Sequence, residues 1–266
     1  MRDLPAFSIG IVNYKTLDLT KICLDLLKSH LDRGLLDAKN VDVWVVDNDS
    51  KDASTEYLRS LDWIHLIERP VTEKEEGFAA HGKGLNLILQ NIRTDYLFLI
   101  HTDTFIYDVE VFAMMLKRLQ QHPRTAAVGC LHQINRGTFR LAWRTVNGFL
   151  KFHSRRIKLA LGLSARPPKP YIEPYIKSFC ALWDVRLMKE KDVTFFSAPR
   201  IPGYELQDLF KAQGYRIALI TPKKLFQYLD HVEAGTVGLV SGYTADNRRA
   251  IRKHNLIQNL SRENSR

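Results

Sequence analysis

The sequence predicts an α/β fold, a mostly parallel sheet flanked by helices. Three observations predict it. Apolar, β-branched runs of strand length alternate with helical periodicity through the first half of the chain and return near its end. With 266 residues, 45% of them hydrophobic, the chain can bury the core of one such domain. Polar residues gather at the ends of the apolar runs, where alternating strand–helix units collect their ligand-binding loops.

The elements follow in order. "FSIGIVNY" (7–14) reads as a strand, and Leu19, Ile22, Cys23, Leu26, Leu27 and His30 then recur at helical spacing through 17–31. "VDVWVVDNDS" (41–50) is a second strand ending in Asp47, Asn48, Asp49 and Ser50. "STEYLRSL" (54–61) is a short helix that Asp52 or Ser54 could cap. "IHLIERP" (64–70) is a third strand, and "GFAAHGKGLNLILQNI" (77–92) runs from a Gly-rich loop into a helix. "DYLFLIHTD" (95–103), the helix "VEVFAMMLKRLQQH" (109–122) and the strand "TAAVGCLHQI" (125–134) complete the regular part. A strand then helix returns in "SFCALWDVRLMKE" (178–190). "GYELQDLFKAQGYRIALI" (203–220) is a helix closed by Gly214, then a strand.

The net charge of +10 is unevenly distributed. From Val111 to Ile172 there is no Asp or Glu, and the same stretch carries twelve Lys and Arg, more than the whole excess. Within it, "FRLAWRTVNGFLKFHSRRIKLALGL" (139–163) winds into a helix. Phe139, Trp143, Val146, Leu150, Ile157 and Leu161 form one stripe, and Arg140, Arg144, Lys151, Arg155 and Lys158 another. A basic amphipathic helix with aromatics suits an anionic membrane surface, a lipid-linked pyrophosphate or an acidic glycan; a helix packed on the core with solvated cations outside is the plainer expectation. No motif points to nucleic acid. No apolar run is long enough to span a membrane, and "MRDLPAFSIGIVNY" has no signal-peptide pattern. Cys23, Cys130 and Cys180 are odd in number and without CxxC spacing, which fits a reducing cytoplasm.

Three strand ends place polar groups on one edge: Asn13 and Tyr14, Asp47 to Ser50, and His101 to Asp103. Asp103 could hold Mg²⁺ or Mn²⁺ together with substrate phosphates. His101, two residues earlier, points to the same strand face, and His231 in a late loop could be a third ligand. Such an ion suits displacement of a nucleoside diphosphate, because it neutralises charge developing on the leaving group.

At these residues the sequence resembles the family-two glycosyltransferases, with their GT-A, Rossmann-like fold. "SIGIVNYKTLDLTKICLDLL" resembles the family's opening strand and helix, and "VWVVDNDSKDAST" its second-strand signature. "GFAAHGKGLNLIL" resembles its Gly-rich loop, "YLFLIHTDTFI" the strand into its DxD metal motif, "GYELQDLFKAQGYRI" its late acidic helix, and "HVEAGT" its late histidine turn. The resemblance covers 7–130 and, more loosely, 178–238. It implies an inverting transferase that moves a sugar from a UDP-, GDP- or dTDP-linked donor to a glycan or lipid-linked saccharide. Val12 and Tyr14 would border the nucleobase. Asp47 would hydrogen-bond the base or ribose, with Asp49 holding that turn. Lys83, Asn86 and Thr102 would contact nucleotide or donor sugar. Asp103, the last Asp of DxD, would hold metal and diphosphate, and His231 would complete the metal site.

Two departures qualify this. His101 replaces the first Asp of DxD, and an imidazole favours Mn²⁺ over Mg²⁺. The late helix has only Glu205 and Asp208, three residues apart on one face, instead of adjacent carboxylates. Glu205, near the helix start, is the expected general base and Asp208 the second choice. A non-catalytic glycan- or membrane-binding protein on a decayed transferase fold is one alternative. A sugar-phosphate nucleotidyltransferase is another, against which "NYKTLDL" stands where a Gly-rich basic loop belongs. The expected organisation is one GT-A domain over 1–238, with a basic helical insertion at 131–177, and a polar basic tail at 239–266. The expected location is cytoplasmic, peripheral on the inner face of a membrane.

Overall fold

In the computed structural model, residues 4–73, 75–135, 137–168, 170–172, 174–197 and 200–232 are described. The expected tail at 239–266, the boundary at 238 and the last four residues of "HVEAGT" lie outside them.

Strand β1 (Phe7–Asn13) is buried along almost its whole length, as a central parallel strand must be when helices cover both faces. It pairs in parallel with β2 (Val41–Asp47) on one side and β4 (Tyr96–His101) on the other. Outside β2 lies β3 (His65–Glu68), also parallel. Beyond β4 come β7 (Cys180–Asp184), β6 (Thr125–Gly129) and β8 (Arg216–Leu219), giving the order β3-β2-β1-β4-β7-β6-β8. Only β7 runs antiparallel to its neighbours. A small second sheet pairs β5 (Thr104–Ile106) with β9 (Leu229–His231); the sequence pattern had marked neither as a strand.

Helices α1 (Leu17–Asp32), α2 (Ala53–Arg59) and α4 (Glu110–Gln120) cover one face, where Phe7, Phe98 and Phe112 pack with ring centroids 4.9–5.2 Å apart. Helices α3 (Gly77–Asn91), α6 (Val185–Glu190) and α7 (Tyr204–Ala212) cover the other. Each contributes leucine-sized side chains whose full burial stabilises by about 1.5–3 kcal/mol apiece. Asp52, not Ser54, caps α2, its carboxylate accepting from Ser54 N–H. Close packing fixes one glycine: a Cβ on Gly82 of α3 would lie 2.6 Å from Phe196 Cβ. The short α8 (Pro222–Leu225) leads into β9.

Helix α5 (Thr138–Ala160) belongs to neither core cluster. Its contact with the rest is narrow: Gly148 lies against Tyr171, and Phe149 and Phe152 meet the same ring edge-on. The apolar stripe foreseen in the sequence faces solvent, with Phe139 82% and Trp143 65% exposed and Val146, Leu150, Ile157 and Leu161 exposed with them. This corrects the plainer expectation of apolar side chains packed inward.

Candidate active site

The parallel register sets Asn13 beside Asp47 and Val12 beside His101, so three strands end at one level. A buried polar network fills that edge. Asp47 Oδ1 accepts from Asn13 Nδ2 at 2.8 Å and Ser50 Oγ at 2.5 Å, and its Oδ2 from Thr55 Oγ1 at 2.7 Å. Asn13 also donates to Ser50 and Ser54, while its carbonyl accepts from Thr16 and Thr20. Thr16 Oγ1 also lies 3.1 Å from Thr102 Oγ1. Lys15, Asp49 and Lys51 sit at positive φ of 50–58° around this knot. Such conformations cost on the order of 1–3 kcal/mol each and persist where the surroundings over-determine them.

The metal triad assembles by a route the strand pattern did not show. β4 stops at His101, and Asp103 lies in the turn before β5, so the two are not successive residues on one strand face as expected. The antiparallel β5–β9 pair sets His231 opposite Thr104, and Val232 N–H donates to Asp103 O at 2.9 Å. One ligand atom each of His101, Asp103 and His231 then lies within 4.8 Å of the others. Two bonds of about 2.1 Å to a common ion span about 4 Å, so small rotations close the set.

The donor chemistry of the triad fits a cation. His231 Nδ1 is 3.0 Å from the carbonyl of Gln133, which can only accept, so Nδ1 carries the proton and Nε2 the lone pair. That Nε2 is buried, makes no hydrogen bond and lies 3.1 Å from Asp103 Oδ1. A cation held by His231 Nε2 and Asp103 Oδ1, or a proton on Nε2, would satisfy both atoms. His101 Nε2 meets Ser178 Oγ at 2.8 Å, which leaves Nδ1, 3.8 Å from Asp103, to face the same point. Burial first, then His81 and His231 nearby, push His101 down to about 3, and burial pushes His81 down to about 4. Both imidazoles are therefore neutral, the ligating form. Gln133 and Ser178, which orient two of the ligands, gave no signal in the sequence. His81, within "AAHGKG", stands edge-on to His101 at 5.2 Å.

Helix α7 is clamped to the same edge. Gln207 bonds both the N–H and the C=O of Ile176, Tyr204 stacks on Tyr175 at 4.0 Å, and Lys177 Nζ meets Tyr204 Oη. Ser178, the next residue, is the one that holds His101. The helix start carries Glu205, half-buried, with Oε2 accepting from Ser197 Oγ at 3.0 Å. Asp208 Oδ2 is taken by Arg200 at 3.1 Å and Tyr175 at 2.8 Å.

Several expected donor contacts have other partners. Asp47 has both oxygens hydrogen-bonded within the turn, which fixes the loop at the end of β2. Asn86 makes a two-point bond with the backbone of Phe196, at 2.9 and 3.1 Å, and so anchors that residue to α3. Thr102 is buried against Thr16. Val12 is half-buried against Gly84, and Tyr14 is 40% exposed. Asp49 pairs with Lys51 at 2.9 Å. Lys83 pairs with Glu75, whose carboxylate Arg69 also grips with two bonds of 2.6 and 2.7 Å. Arg140, Arg144, Lys151, Arg155 and Lys158 all lie on α5, away from the triad's immediate shell.

The order of motifs and the sheet edge point one way, and a family model decides it: Glycosyl transferase family 2 matches residues 8–178. The chain belongs to that family. The matched stretch runs from β1 through α5 to Ser178, so Asp103 of this family-2 chain falls inside it while Glu205 and His231 lie beyond. No curated protein matches the chain by sequence. Among solved structures it is similar to a mannosyltransferase from Pyrobaculum calidifontis in complex with GDP-Man and Mn²⁺, at 16% identity and a TM-score of 0.57, over 83% of this chain and 56% of that one. It is also similar to S. aureus TarS 1–349, at 16% and 0.51, over 88% and 63%. A third is the Mycobacterium tuberculosis glucosyl-3-phosphoglycerate synthase with phosphoglyceric acid, at 16% and 0.50, over 82% and 70%. These likenesses establish the GT-A fold. The family-2 chain spans little more than half the length of the first of them and under two thirds of the second.

Proposed function

We propose that the protein transfers a sugar, with inversion, from a nucleoside diphosphate donor to a glycan or lipid-linked acceptor. The observation that carries this is the His101–Asp103–His231 triad with its unbonded, buried His231 Nε2. Family membership supports the donor class, and the similarity to a fold relative bound to GDP-Man and Mn²⁺ supports both nucleotide and metal. His101, Asp103 and His231 would hold a divalent cation, Mn²⁺ ahead of Mg²⁺ because two of three ligands are nitrogen. Bound there, the ion would supply charge neutralisation to the departing diphosphate.

The remaining work falls to the chain's own side chains. Glu205 accepts the proton of an acceptor hydroxyl while that oxygen bonds to the anomeric carbon. The bond from that carbon to the diphosphate oxygen breaks, and the nucleoside diphosphate leaves with the electron pair. One displacement inverts the centre. Glu205 is chosen over Asp208 because Asp208 is already engaged by a guanidinium and a phenol. Val12, Tyr14, Asp47, Asp49, Lys83, Asn86 and Thr102 are the residues assigned to the nucleotide and donor sugar.

The acceptor side faces α5. Exposed aromatics beside Arg140, Arg144, Lys151, Arg155 and Lys158, with no acidic residue from 111 to 172, support a peripheral seat on the anionic cytoplasmic face of a membrane. Among the described residues no helix is long and apolar enough to cross one. The test of the central reading is hydrolysis of UDP-, GDP- and dTDP-sugars with Mn²⁺, with Mg²⁺ and with chelator. Turnover of one donor class, dependent on Mn²⁺ and lost in Asp103→Asn, is expected. No donor turned over and none raising the melting temperature would overturn it.

A further inference from the structure

Helix α5 has three faces. On the inner one Gly148, Phe149 and Phe152 meet Tyr171. The apolar stripe of Phe139, Trp143, Val146, Leu150, Ile157 and Leu161 is exposed. Lys151, Arg155 and Lys158 follow one another at steps of four and three residues, so they share the third face. Leu150 and Ile157 each stand one residue before a cation, which sets the cationic face along the flank of the apolar one.

The chain beyond the helix folds back onto that flank. Gly162 takes φ +72°, Leu163 N–H donates to Lys158 O at 2.9 Å and Gly162 N–H to Leu159 O at 3.1 Å, the pair of bonds that closes a helix and turns the chain. Arg155 Nη1 donates to Pro167 O at 3.4 Å and ties the returning segment to the helix. Between helix and segment lies a concavity of about 380 Å³. Lys151, Arg155, Lys158 and Arg166 line it, with Ser154 and Ser164. Among the described residues no Asp or Glu lines it, and none of the four cations meets a carboxylate. Leu150 lines it too, so the concavity adjoins the exposed apolar stripe.

We infer that this concavity is a lipid headgroup site, holding a phosphomonoester headgroup of an anionic bilayer while the acyl region lies along the apolar stripe. Like charges held together repel unless an anion joins them, and Lys and Arg give charge-assisted bonds to phosphate oxygens. A phosphomonoester brings about 1.5–2 negative charges at pH 7, where a phosphodiester brings one, so a four-cation site favours the former. The occupant is a bilayer lipid because Leu150 belongs to both surfaces: a soluble anion would answer the cations and leave the stripe in water. The inference rests on the peripheral-seat reading and deepens it by naming the lipid chemistry. The site anchors the protein and takes no part in transfer, since none of its lining residues is among those assigned to donor, cation or base.

The experiment floats the full chain with phosphatidylcholine vesicles carrying either phosphatidic acid or phosphatidylglycerol, the latter at twice the mole fraction so that surface charge is matched. Wild type should bind the phosphatidic acid vesicles about tenfold more tightly, as expected of a few added charge-assisted contacts. Lys158→Gln/Arg166→Gln should bind both vesicles alike. Both side chains are exposed, so the melting temperature should be kept; where the double variant melts early, Lys151→Gln alone should reduce the preference. Phe139→Ser/Trp143→Ser, on the stripe but outside the concavity, should weaken binding to both vesicles by the same factor and keep the preference. Equal wild-type affinity for the two charge-matched vesicles overturns the inference, and so does a preference that survives Lys158→Gln/Arg166→Gln. Calorimetric binding of glycerol 3-phosphate by a chain that floats with neither vesicle overturns it too, and gives the concavity to a soluble anion. The parent reading fails separately: a wild type that floats with neither vesicle loses the membrane seat, whereas equal binding to both keeps the seat and removes only the headgroup site.

Discussion

The strand-end edge and helix α5 break the same rule in opposite directions. At the edge, Asn13, Asp47, Ser50, Ser54, Thr102, Asp103 and His231 are polar and buried. On α5, Phe139, Trp143, Leu150 and Ile157 are large, apolar and exposed. Buried polar groups persist only when bonded, and almost every group at the edge is. His231 Nε2, which makes no hydrogen bond, and His81 Nε2 beside His101 are exceptions, and both lie at the candidate metal site. Exposed apolar groups in a stripe persist when something else covers them. A violation whose groups are satisfied within the chain thus reads as scaffold, and one left incomplete reads as a binding surface.

The largest expected effect breaks the incomplete half of the edge. Asp103→Asn keeps the shape and removes the only carboxylate of the triad, so Mn²⁺-dependent turnover should fall by about a thousandfold or more, the several kcal/mol that a positioned cation contributes. His101→Asp should move preference from Mn²⁺ toward Mg²⁺ by adding an oxygen ligand. Metal titration calorimetry reads both, and identical isotherms for the three proteins would remove the cation from this site.

Next comes the base. Glu205→Gln should lower transfer by about a hundredfold while leaving nucleotide binding nearly unchanged. If Asp208→Asn suffers that loss and Glu205→Gln does not, the role belongs one turn further along α7.

The satisfied half of the edge should answer in stability. Asp47→Ala strands the buried donors of Asn13, Ser50 and Thr55, and a cost of about 2–4 kcal/mol in denaturant unfolding is expected. Trp143→Ser with Leu150→Ser on α5 should stay within about 0.5 kcal/mol per site, because nothing is unpacked. The same pair should bind anionic vesicles less well, and wild-type binding should weaken as salt rises past the screening length of about 8–10 Å. Vesicle binding that ignores both substitution and salt would make the stripe an interface with something other than a membrane.

The smallest effect is a pH signature beside the edge. Arg69 first, then Lys83, hold the Glu75 carboxyl below its ordinary value. A depressed carboxylate stabilises the fold above its unfolded value, about 4.5, and that stabilisation is lost as pH falls through the lower folded value. The melting-temperature gap between wild type and Glu75→Gln should therefore be constant above pH about 4.5 and close below it. A gap that persists at the acid limit would assign Glu75 a role other than its ion pairs.

Much of the fold was legible because it is local. Alternating apolar runs fixed β1 to β4 and β6 with their helices, and Gly214, at φ +77°, closed the late helix as its position implied. The family resemblance and the residue types Asp103, His101, His231 and Glu205 were also readable in the chain itself. What the sequence could not settle were relations between distant segments. Whether Asp47 and Asn86 face a ligand or a neighbour depends on who stands opposite them, and Ser50, Thr55 and Phe196 are brought there only by folding. β5 and β9 are three residues each, too short for periodicity, yet their pairing delivers His231 to Asp103 across more than a hundred residues. The α5 stripe was visible as amphipathic, but hydrophobic pattern gives the direction of a face and not what it meets. Local propensity is written residue by residue, whereas burial and partnership are properties of pairs, and only tertiary packing decides the pairs.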